Sequence, residues 1–266
     1  MRQKTGGPLG LSLLRADGTF SRLLVRYSPL LFIALAWEAV ALLGLVPANV
    51  LPSLTAVATS WLRLVGSGEM ITNGIDSLYR VGLGLLLAIF VGAGAGLFMA
   101  TSRVVNVFVG PLVRLFYPMP KSALIPVMVL WLGFGDASKI VLIFLGCLLP
   151  IAISAFNGAR GADQALVWSA RSMGADRLRM LWDVVVPSAL PELLNGIRTA
   201  LALSFILLVS SELIAAREGL GHLIGFFGAS GSYDAMFAVV LTVALLGFIA
   251  DRSYLLLVRR MLRWQD

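Results

Sequence analysis

The chain has 266 residues, of which 59% are hydrophobic and only 13% are charged, whereas a soluble domain is close to half apolar and a quarter charged. It therefore has too few polar side chains to cover itself in water, and lipid is indicated as its solvent. The formal net charge of +7 does not indicate nucleic-acid binding, because Lys and Arg lie in short clusters between apolar runs and not on one solvated face.

The cysteine count and the N-terminal composition limit the chain further. Cys147 is the single cysteine, so neither a disulfide nor a cysteine-based metal site can form within the chain. Residues 1–26 are polar and basic, and no short apolar stretch precedes a small-residue cleavage site, so we expect no removable signal peptide. We predict a cytoplasmic N-terminal segment over 1–26 and a membrane-spanning domain over 27–266.

Runs of about 20 mostly apolar residues predict membrane-spanning helices. Six such runs are present: 27–46, 77–101, 105–133, 138–157, 190–215 and 235–258. The second is dense in glycine, which indicates close helix packing in lipid and not a dinucleotide site. The third is predicted to be broken or kinked because it contains prolines, which are Pro111, Pro118, Pro120 and Pro126. The sequence thus predicts an all-α membrane protein with about six transmembrane helices.

The distribution of Lys and Arg predicts the orientation of these helices. With the N-terminus in the cytoplasm, the cytoplasmic segments carry 13 of these residues and the outer loops carry three, so both termini are predicted to be cytoplasmic. The first outer loop, 47–76, contains an amphipathic pattern from Leu54 to Val65 that ends at Gly66 and Gly68. This pattern predicts a short helix at the membrane interface.

The longest polar insertion between spans is the loop 158–190, which this topology places in the cytoplasm. Two short helices are predicted in it, over 164–173 and 176–185, each with one apolar face, and Gly174 separates them. The capping and closing residues are Asp163, Pro187 and Pro191. Such a helix pair either packs on its own bundle or serves as a docking element for a cytoplasmic partner.

The loop resembles one found in permease subunits of ATP-binding-cassette importers. In that family the loop has the form Glu-Ala-Ala, three residues, Gly, nine residues, Ile-x-Leu-Pro. This chain has Trp168-Ser169-Ala170, three residues, Gly174, nine residues and then Val184-Val185-Val186-Pro187. The spacing is complete. Trp168 departs from the family's Glu, and Ser169 replaces the first Ala, so one polar contact to the ATPase is missing or replaced.

The resemblance extends from about residue 50 to the C-terminus and is greatest to the nitrate, sulfonate, taurine and bicarbonate branch of these permeases. The stretches that carry it are Leu51-Pro52-Ser53, Ser77-Leu78-Tyr79-Arg80, 118–126, 130–135, Ser138-Lys139-Ile140, Gly196-Ile197-Arg198, Glu212-Leu213-Ile214 and Gly219-Leu220-Gly221.

The resemblance implies the type I importer permease fold and a place in the bacterial inner membrane. It also implies a second permease subunit in a homodimer, two cytoplasmic ATPase subunits and an extracytoplasmic binding protein that delivers a small solute. The chain has no Gly-x-x-x-x-Gly-Lys-Ser/Thr phosphate loop, so ATP and Mg are expected on the partner ATPase and no cofactor on this chain. No catalytic or metal site is predicted, and the chain is not expected to be an enzyme.

The resemblance assigns ATPase coupling to nine residues of the loop. They are Trp168, Ser169, Ala170, Gly174, Ala175, Asp176, Val184, Val186 and Pro187.

Ionisable residues in or near spans are expected to face the bundle interior or a water-filled cavity. Arg114 and Lys121 flank the predicted break in span three, where they either attract an anionic solute or neutralise helix ends and reach the interface. Arg198 and Glu212 are each expected to have a partner on another span or at an interface, and Glu212 alternatively helps to hold the outer gate or the binding-protein surface. The predicted translocation path comprises Arg114, Pro118, Pro120, Lys121, Ser122 and Glu212.

Two other functions remain open on the sequence. A secondary transporter or channel working without an ATPase often has inverted repeats, and span three has no broken counterpart in the other half. A membrane scaffold has no need of a long ordered loop together with a proline-broken central helix. We therefore interpret the chain as an importer permease for a small, anionic solute such as a sulfonate, taurine or nitrate.

Overall fold

The structure, a computed structural model, describes residues 19–47 and 50–263, and the side chains of 28–47, 50–176 and 178–263. Within these residues it is helical and contains no strand. The α-helices, in chain order, are α1 (Thr19–Leu42), α2 (Leu54–Gly66), α3 (Glu69–Thr101), α4 (Arg103–Phe116), α5 (Ile125–Leu132), α6 (Asp136–Arg160), α7 (Gln164–Ser172), α8 (Arg177–Met180), α9 (Val186–Ala215), α10 (Leu220–Ala229) and α11 (Tyr233–Met261). A 3₁₀ turn covers Lys121–Leu124, and a π-helical turn covers Leu181–Val185.

The chain divides into two compact units, one of residues up to 58 and one of residues from 59 onward. In the first unit, the Trp37 Nε1 donates to Pro52 O at 2.9 Å. The Glu38 Oε2 accepts from Leu54 N at 2.7 Å. Glu38, which lies in the predicted span 27–46, thus satisfies a free N–H at the start of α2, where a carboxylate is stabilising.

Four helices are long and apolar enough to cross a membrane: α3, α6, the continuous helix Leu178–Ala215 and α11. In the described residues α4 and residues 121–132 meet at an angle of 92°, which makes this pair either a broken span or a re-entrant loop. The predicted break within 105–133 is thus confirmed. The predicted first span, 27–46, overlaps with α1, which is 24 residues long, Thr19–Leu42. Part of it lies outside the residues whose side chains are described, so its apolar length is not tested. The described side chains supply four helices that are long and apolar enough to span a membrane and one bent helix pair.

Glycines on α3 bring it close to α6, as the sequence predicts. A Cβ added at Gly84 would lie 2.8 Å from the Cβ of Ile143, and one added at Gly92 would lie 2.9 Å from Leu148 O. No larger residue fits at either position, and small residues of this kind allow helices to pack closely in lipid. α6 also packs on α9. The buried core comprises Val81, Ala88, Ile143, Cys147, Ile151, Leu194, Ile197, Ala200, Leu207 and Leu208.

The first half of the loop 158–190 has the predicted structure. α7 covers Gln164–Ser172, and the Asp163 Oδ1 accepts from Ala165 N at 2.8 Å, which caps the helix. Gly174 follows with a φ of 81°, a left-handed conformation that an L side chain adopts only with strain. The chain therefore turns at Gly174 because that residue has no Cβ.

The second half of the loop differs from the prediction. The sequence predicts a helix ending at 185, closing prolines and a new span from 190, and this end point is wrong. One continuous helix runs from Leu178 to Ala215, with the π-helical turn Leu181–Val185 inside it. Pro187 follows this turn in the first turn of α9. Proline lacks an N–H and is tolerated where the regular i to i−4 pattern is already interrupted, so Pro187 does not end the helix.

Candidate functional site

The loop 158–190 encloses a groove of about 690 Å³ between α7 and the start of the continuous helix. Five of the nine residues predicted to couple to an ATPase line this groove. They are Ser169, Ala170, Ala175, Val184 and Pro187. The structure thus brings together residues from both halves of the sequence motif, because the turn at Gly174 folds α7 against the following helix.

The other four predicted coupling residues have different positions. Gly174 makes the turn itself. The Asp176 Oδ1 accepts from Arg179 N at 2.8 Å, so this carboxylate caps α8. Val186 is half-buried at the start of α9. Trp168 is 64% exposed on α7. Its side chain lies on the surface of the loop and does not line the groove.

Five large apolar side chains of the loop are exposed. We name them the apolar loop face: Leu166, Trp168, Met173, Leu178 and Trp182. The exposed fraction reaches 79% at Met173 and 62% at Trp182. Leu166, Trp168 and Met173 lie in the polar segment between spans, and Leu178 and Trp182 lie at the start of the continuous helix. Large exposed apolar patches of this kind mark interaction sites. The arrangement suits binding of a protein partner.

The break between α4 and α5 is held by Lys121. Its Nζ donates to three backbone carbonyls at the end of α4: Phe116 O at 2.6 Å, Tyr117 O at 3.0 Å and Met119 O at 2.8 Å. A cation at a helix C-terminus neutralises the partial negative charge of these orphan carbonyls. Lys121 therefore has the helix-end role that the sequence analysis considered, and this does not exclude a role toward a solute.

The remaining predicted path residues near the break fall into two groups. The Arg114 Nε donates to Gly110 O at 3.4 Å, so this side chain folds back along its own helix. Pro118 and Pro120 are exposed in the turn. Ser122, together with Lys121, lines a cleft of about 410 Å³ that the break forms with α6 and α9.

Glu212 lies in a buried polar network and not on an open surface. Its side chain is 0% exposed. The Glu212 Oε1 accepts from the Arg80 Nη1 at 2.6 Å, and Oε2 accepts from Ser77 Oγ at 2.8 Å. The Arg80 guanidinium also donates from Nε to the Asp136 Oδ1 at 2.6 Å and from Nη1 to Glu218 O at 2.8 Å. Arg80 thus joins α3 to both α6 and α9.

The same network holds the N-terminus of α10. Three successive N–H groups of this segment donate to side chains of α3 and α9: Gly219 N to the Asn73 Oδ1 at 2.6 Å, Leu220 N to Ser77 Oγ at 2.9 Å and Gly221 N to the Glu212 Oε2 at 2.9 Å. These are orphan donors that a helix start must satisfy. We name the set Asn73, Ser77, Arg80, Asp136 and Glu212 the Arg80 network.

A second ion pair joins α9 to α11. The Arg198 Nε and Nη2 donate to the two carboxylate oxygens of Asp251 at 2.7 and 3.1 Å, which is the bidentate geometry that Arg favours. Nearby, the Tyr254 hydroxyl donates to Leu194 O at 2.7 Å. The predictions that Arg198 and Glu212 have partners on other spans are confirmed.

Sequence reasoning missed several members of the Arg80 network. Asn73 and Asp136 received no role, and Ser77 and Arg80 were noted without their partners. One signal was available: Ser77 and Arg80 are three residues apart and so share one face of α3. A search of the described residues finds no cluster of three or more His, Cys, Asp or Glu side chains suited to a metal ion.

Comparison with known proteins gives a consistent result. The family model described as "binding-protein-dependent transport system inner membrane component" matches residues 84–263. The taurine transport system permease protein TauC of Escherichia coli (strain K12) is 33% identical, over 99% of this chain and 94% of that protein. SsuC of Bacillus subtilis (strain 168), named for aliphatic sulfonates transport, is also 33% identical, over 90% of this chain and 86% of that protein.

Solved structures share the fold. An inward-facing MetNI methionine ABC transporter chain aligns with a TM-score of 0.63 and 20% identity, covering 72% of this chain and 95% of that chain. An amino acid ABC transporter crystallised with histidines aligns with a TM-score of 0.60 and 15% identity, covering 76% of this chain and 97% of that chain. At these identities the likeness concerns the fold alone.

Proposed function

Because this chain belongs to the family of binding-protein-dependent transport system inner membrane components, we propose that it carries a small anionic solute across the membrane and couples to a separate ATPase through the loop 158–190. The chain is a multi-pass inner-membrane permease subunit of an importer and is not itself an enzyme. The ATPase, its ATP and its Mg belong to partner subunits in this proposal.

The observation that carries the coupling proposal is the apolar loop face. Trp168 on α7 and Trp182 near the start of the continuous helix expose 64% and 62% of their surface, and buried aromatic anchors dominate the binding energy of protein interfaces. A loop that only packed on its own bundle would turn these side chains inward. Trp168 stands where the family has Glu, so the contact with the ATPase is apolar at this point.

The continuous helix supports coupling as well as docking. The groove residues Val184 and Pro187 lie on the same uninterrupted helix as the path-side residues Thr199 and Ser210. A displacement of the loop by an ATPase therefore passes into the span without crossing a flexible joint. Gly174 sets the angle at which α7 meets this helix, and Asp176 fixes the start of α8.

The assembly in this proposal contains two copies of the permease, two ATPase subunits and an extracytoplasmic binding protein. Pro118, Pro120, Lys121 and Ser122 belong to the translocation path at the break. Arg114 bonds to its own helix, and Glu212 is enclosed in the Arg80 network. In this proposal both residues hold the helices beside the path in position. A taurine-like or sulfonate-like solute is favoured because the relatives above are named for such solutes.

Copurification with the cognate ATPase tests the coupling proposal. Trp168→Ala and Trp182→Ala should each weaken ATPase binding by about tenfold or more, because each removes an aromatic anchor. Phe90→Ala is the matched control, since Phe90 is 75% exposed on α3, away from the loop, and should leave binding unchanged. Uptake into vesicles that proceeds at full rate without ATP or ATPase would refute the proposal and favour a secondary transporter.

A further inference from the structure

The cleft at the helix break lies about halfway through the bundle. On α6 it is lined from Gly146 to Pro150, near the middle of Asp136–Arg160, and on α9 from Thr199 to Ser210. Its volume of about 410 Å³ falls within the range of sites that bind small molecules. The break supplies its remaining wall, and irregular backbone at this depth is tolerated where it lines a cavity.

Among the residues that the structure describes, Lys121 is the one charged side chain that lines this cleft. Its ammonium is held by three carbonyl oxygens, which are dipoles and bring no net negative charge. Among the described residues no carboxylate forms an ion pair with it, whereas Arg80 has two such partners and Arg198 has one. A positive charge at this depth is costly without a counter-charge and marks solute or ion pathways. The cleft therefore holds a positive charge that no carboxylate among the described residues balances.

Hydroxyl side chains form another part of the lining. Ser122, Thr199 and Ser210 line the same cleft as Lys121. The Thr199 Oγ1 donates to Asn195 O at 3.1 Å and the Ser210 Oγ donates to Ile206 O at 2.8 Å, so each bonds to its own helix. Such local bonds compete with other partners, and a rotation about χ1 turns the hydroxyl toward a bound anion, which accepts strong hydrogen bonds.

The rest of the wall is apolar. Leu149, Leu203 and Ile206 face the cleft opposite these polar groups. A ligand that suits the lining has a compact oxyanion head, to meet Lys121 and the hydroxyls, and a short apolar portion. Inorganic cations and neutral sugars lack this match.

We propose that this cleft is a binding site for a small organic oxyanion within the membrane, with Lys121 as its counter-charge and the hydroxyls of Ser122 and Ser210 as its hydrogen-bond donors, while Thr199 lines the cleft beside them. The inference rests on the proposed function and deepens it, because it makes the permease itself selective for negative charge. Selection then does not depend on the binding protein alone.

Protection of an introduced cysteine measures occupancy directly. In the full-length Thr199→Cys permease in detergent, the thiol is labelled with N-ethylmaleimide in the presence of ethanesulfonate or of ethyl methyl sulfone, a neutral analogue, at equal ionic strength. At an ethanesulfonate concentration about ten times the Kd, labelling should slow about tenfold, and the sulfone should have no effect. Equal protection by both compounds, or by neither, overturns the proposal.

Control variants separate binding from general effects. Ser230→Cys, in the exposed turn after α10, should be labelled at the same rate with and without ethanesulfonate. The native Cys147 is fully buried, and the chain without an added cysteine gives the background. Protection of Ser230→Cys equal to that of Thr199→Cys contradicts a site in the cleft.

Charge variants in the Thr199→Cys background test the role of Lys121. Lys121→Gln should abolish protection and Lys121→Arg should retain it. If Lys121→Gln does not fold, Ser210→Asp serves instead, because its carboxylate supplies an internal counter-charge for Lys121 and should abolish protection. Protection that persists in Lys121→Gln or Ser210→Asp overturns the assignment.

The result is separable from the proposed function. A permease that binds its ATPase and supports ATP-driven uptake, yet shows no anion-selective protection, refutes the cleft site and leaves the importer role standing. A permease that shows protection but binds no ATPase leaves the site standing and refutes the coupling proposal.

Discussion

At the residue scale, the most constrained side chain is Glu212. It is fully buried, and both of its oxygens accept hydrogen bonds, from Arg80, Ser77 and Gly221. Removing one partner of a buried ion pair leaves the other charge uncompensated, which destabilises far more than losing an exposed pair. The stability of this corner of the bundle therefore depends on Glu212 more than on any single apolar contact around it.

Glu212→Leu should lower the free energy of unfolding by about 3 to 5 kcal/mol. Arg80 then keeps only one carboxylate partner, and the Ser77 hydroxyl and the Gly221 N–H lose the carboxylate that accepts from them. Unfolding of the detergent-solubilised permease with increasing SDS measures this. Glu218→Leu is the control, since Glu218 contributes only its backbone carbonyl to Arg80 and its exposed side chain is dispensable. Equal losses in both variants would contradict the role of the Glu212 carboxylate.

The sequence predicts that Glu212 has a distant partner but does not identify it. Arg80 is 132 residues away along the chain, and several intramembrane cations were equally available. The identity of the partner depends on how α3, α6 and α9 pack, which no local pattern encodes. For Lys121 the situation is the reverse. Its three acceptors lie within five residues, so its helix-end role could be anticipated.

At the element scale, the loop 158–190 is set by one glycine. Gly174 has a φ of 81° and ends α7 at the point where the chain must return toward the span. Any residue with a Cβ is strained there by roughly 1–2 kcal/mol. The residues on either side of this turn line the groove, so a change in the backbone at Gly174 changes the shape of the groove.

Gly174→Ala should therefore reduce ATP-driven uptake and ATPase copurification about tenfold. The strain disfavours the native turn of the loop by roughly 1.4 kcal/mol, which corresponds to a tenfold smaller population of that conformation. The unfolding of the spans should change little, because the strain is confined to the loop. Gly82→Ala makes the same chemical change on α3, where a Cβ meets no atom within 4 Å, and should leave uptake intact. Full uptake by Gly174→Ala would count against the turn as a coupling element.

Helix positions were predictable from hydrophobicity, and the break in the third span from its prolines. Pro187 misled the prediction for a physical reason. A proline usually ends a helix, but here the π-helical turn Leu181–Val185 comes immediately before it, so the helix continues. A π turn has no sequence signature comparable to a proline, and it is stabilised by packing that the sequence alone does not show.

At the scale of the whole molecule, two polar ties join α9 to its neighbours at well-separated points. The Arg80 network binds its end near Ala215, and the pair Arg198–Asp251 binds it to α11 nearer its middle. Arg198 and Glu212 are 14 residues apart on one helix, which is about 21 Å. Sites at such a distance act independently unless they share a partner.

The double variant Glu212→Leu with Asp251→Asn should lose stability by the sum of the two single losses, within experimental error, because the ties share no residue. Glu212→Leu combined with Arg80→Leu should lose clearly less than the sum, because both changes break the same ion pair. SDS unfolding of the unsubstituted protein, the three single variants and the two double variants measures both couplings. Strong coupling between Glu212 and Asp251 would show that the two ties are not separate.

The fold class was predictable because composition, proline placement and the loop motif all agree. The candidate site was predictable only in part. The motif identified the groove residues, but the cleft at the break needs α6 and α9 beside it, and Thr199 and Ser210 carry no local signal. Thr199 and Ser210 come to line the cleft only when α9 packs beside α6 and the break in the folded protein.

The continuous helix Leu178–Ala215 has a mechanical consequence. Its 38 residues give a rod of about 57 Å, nearly twice the thickness of a bilayer core. One end carries the groove, and the other is anchored in the Arg80 network. A rod clamped at one end behaves as a lever, so a tilt of about 5° about the clamp swings the groove end by about 5 Å. A stroke delivered at the groove therefore produces its largest displacement there, and the displacement decreases toward the anchored end, so the cleft residues in between move less than the groove.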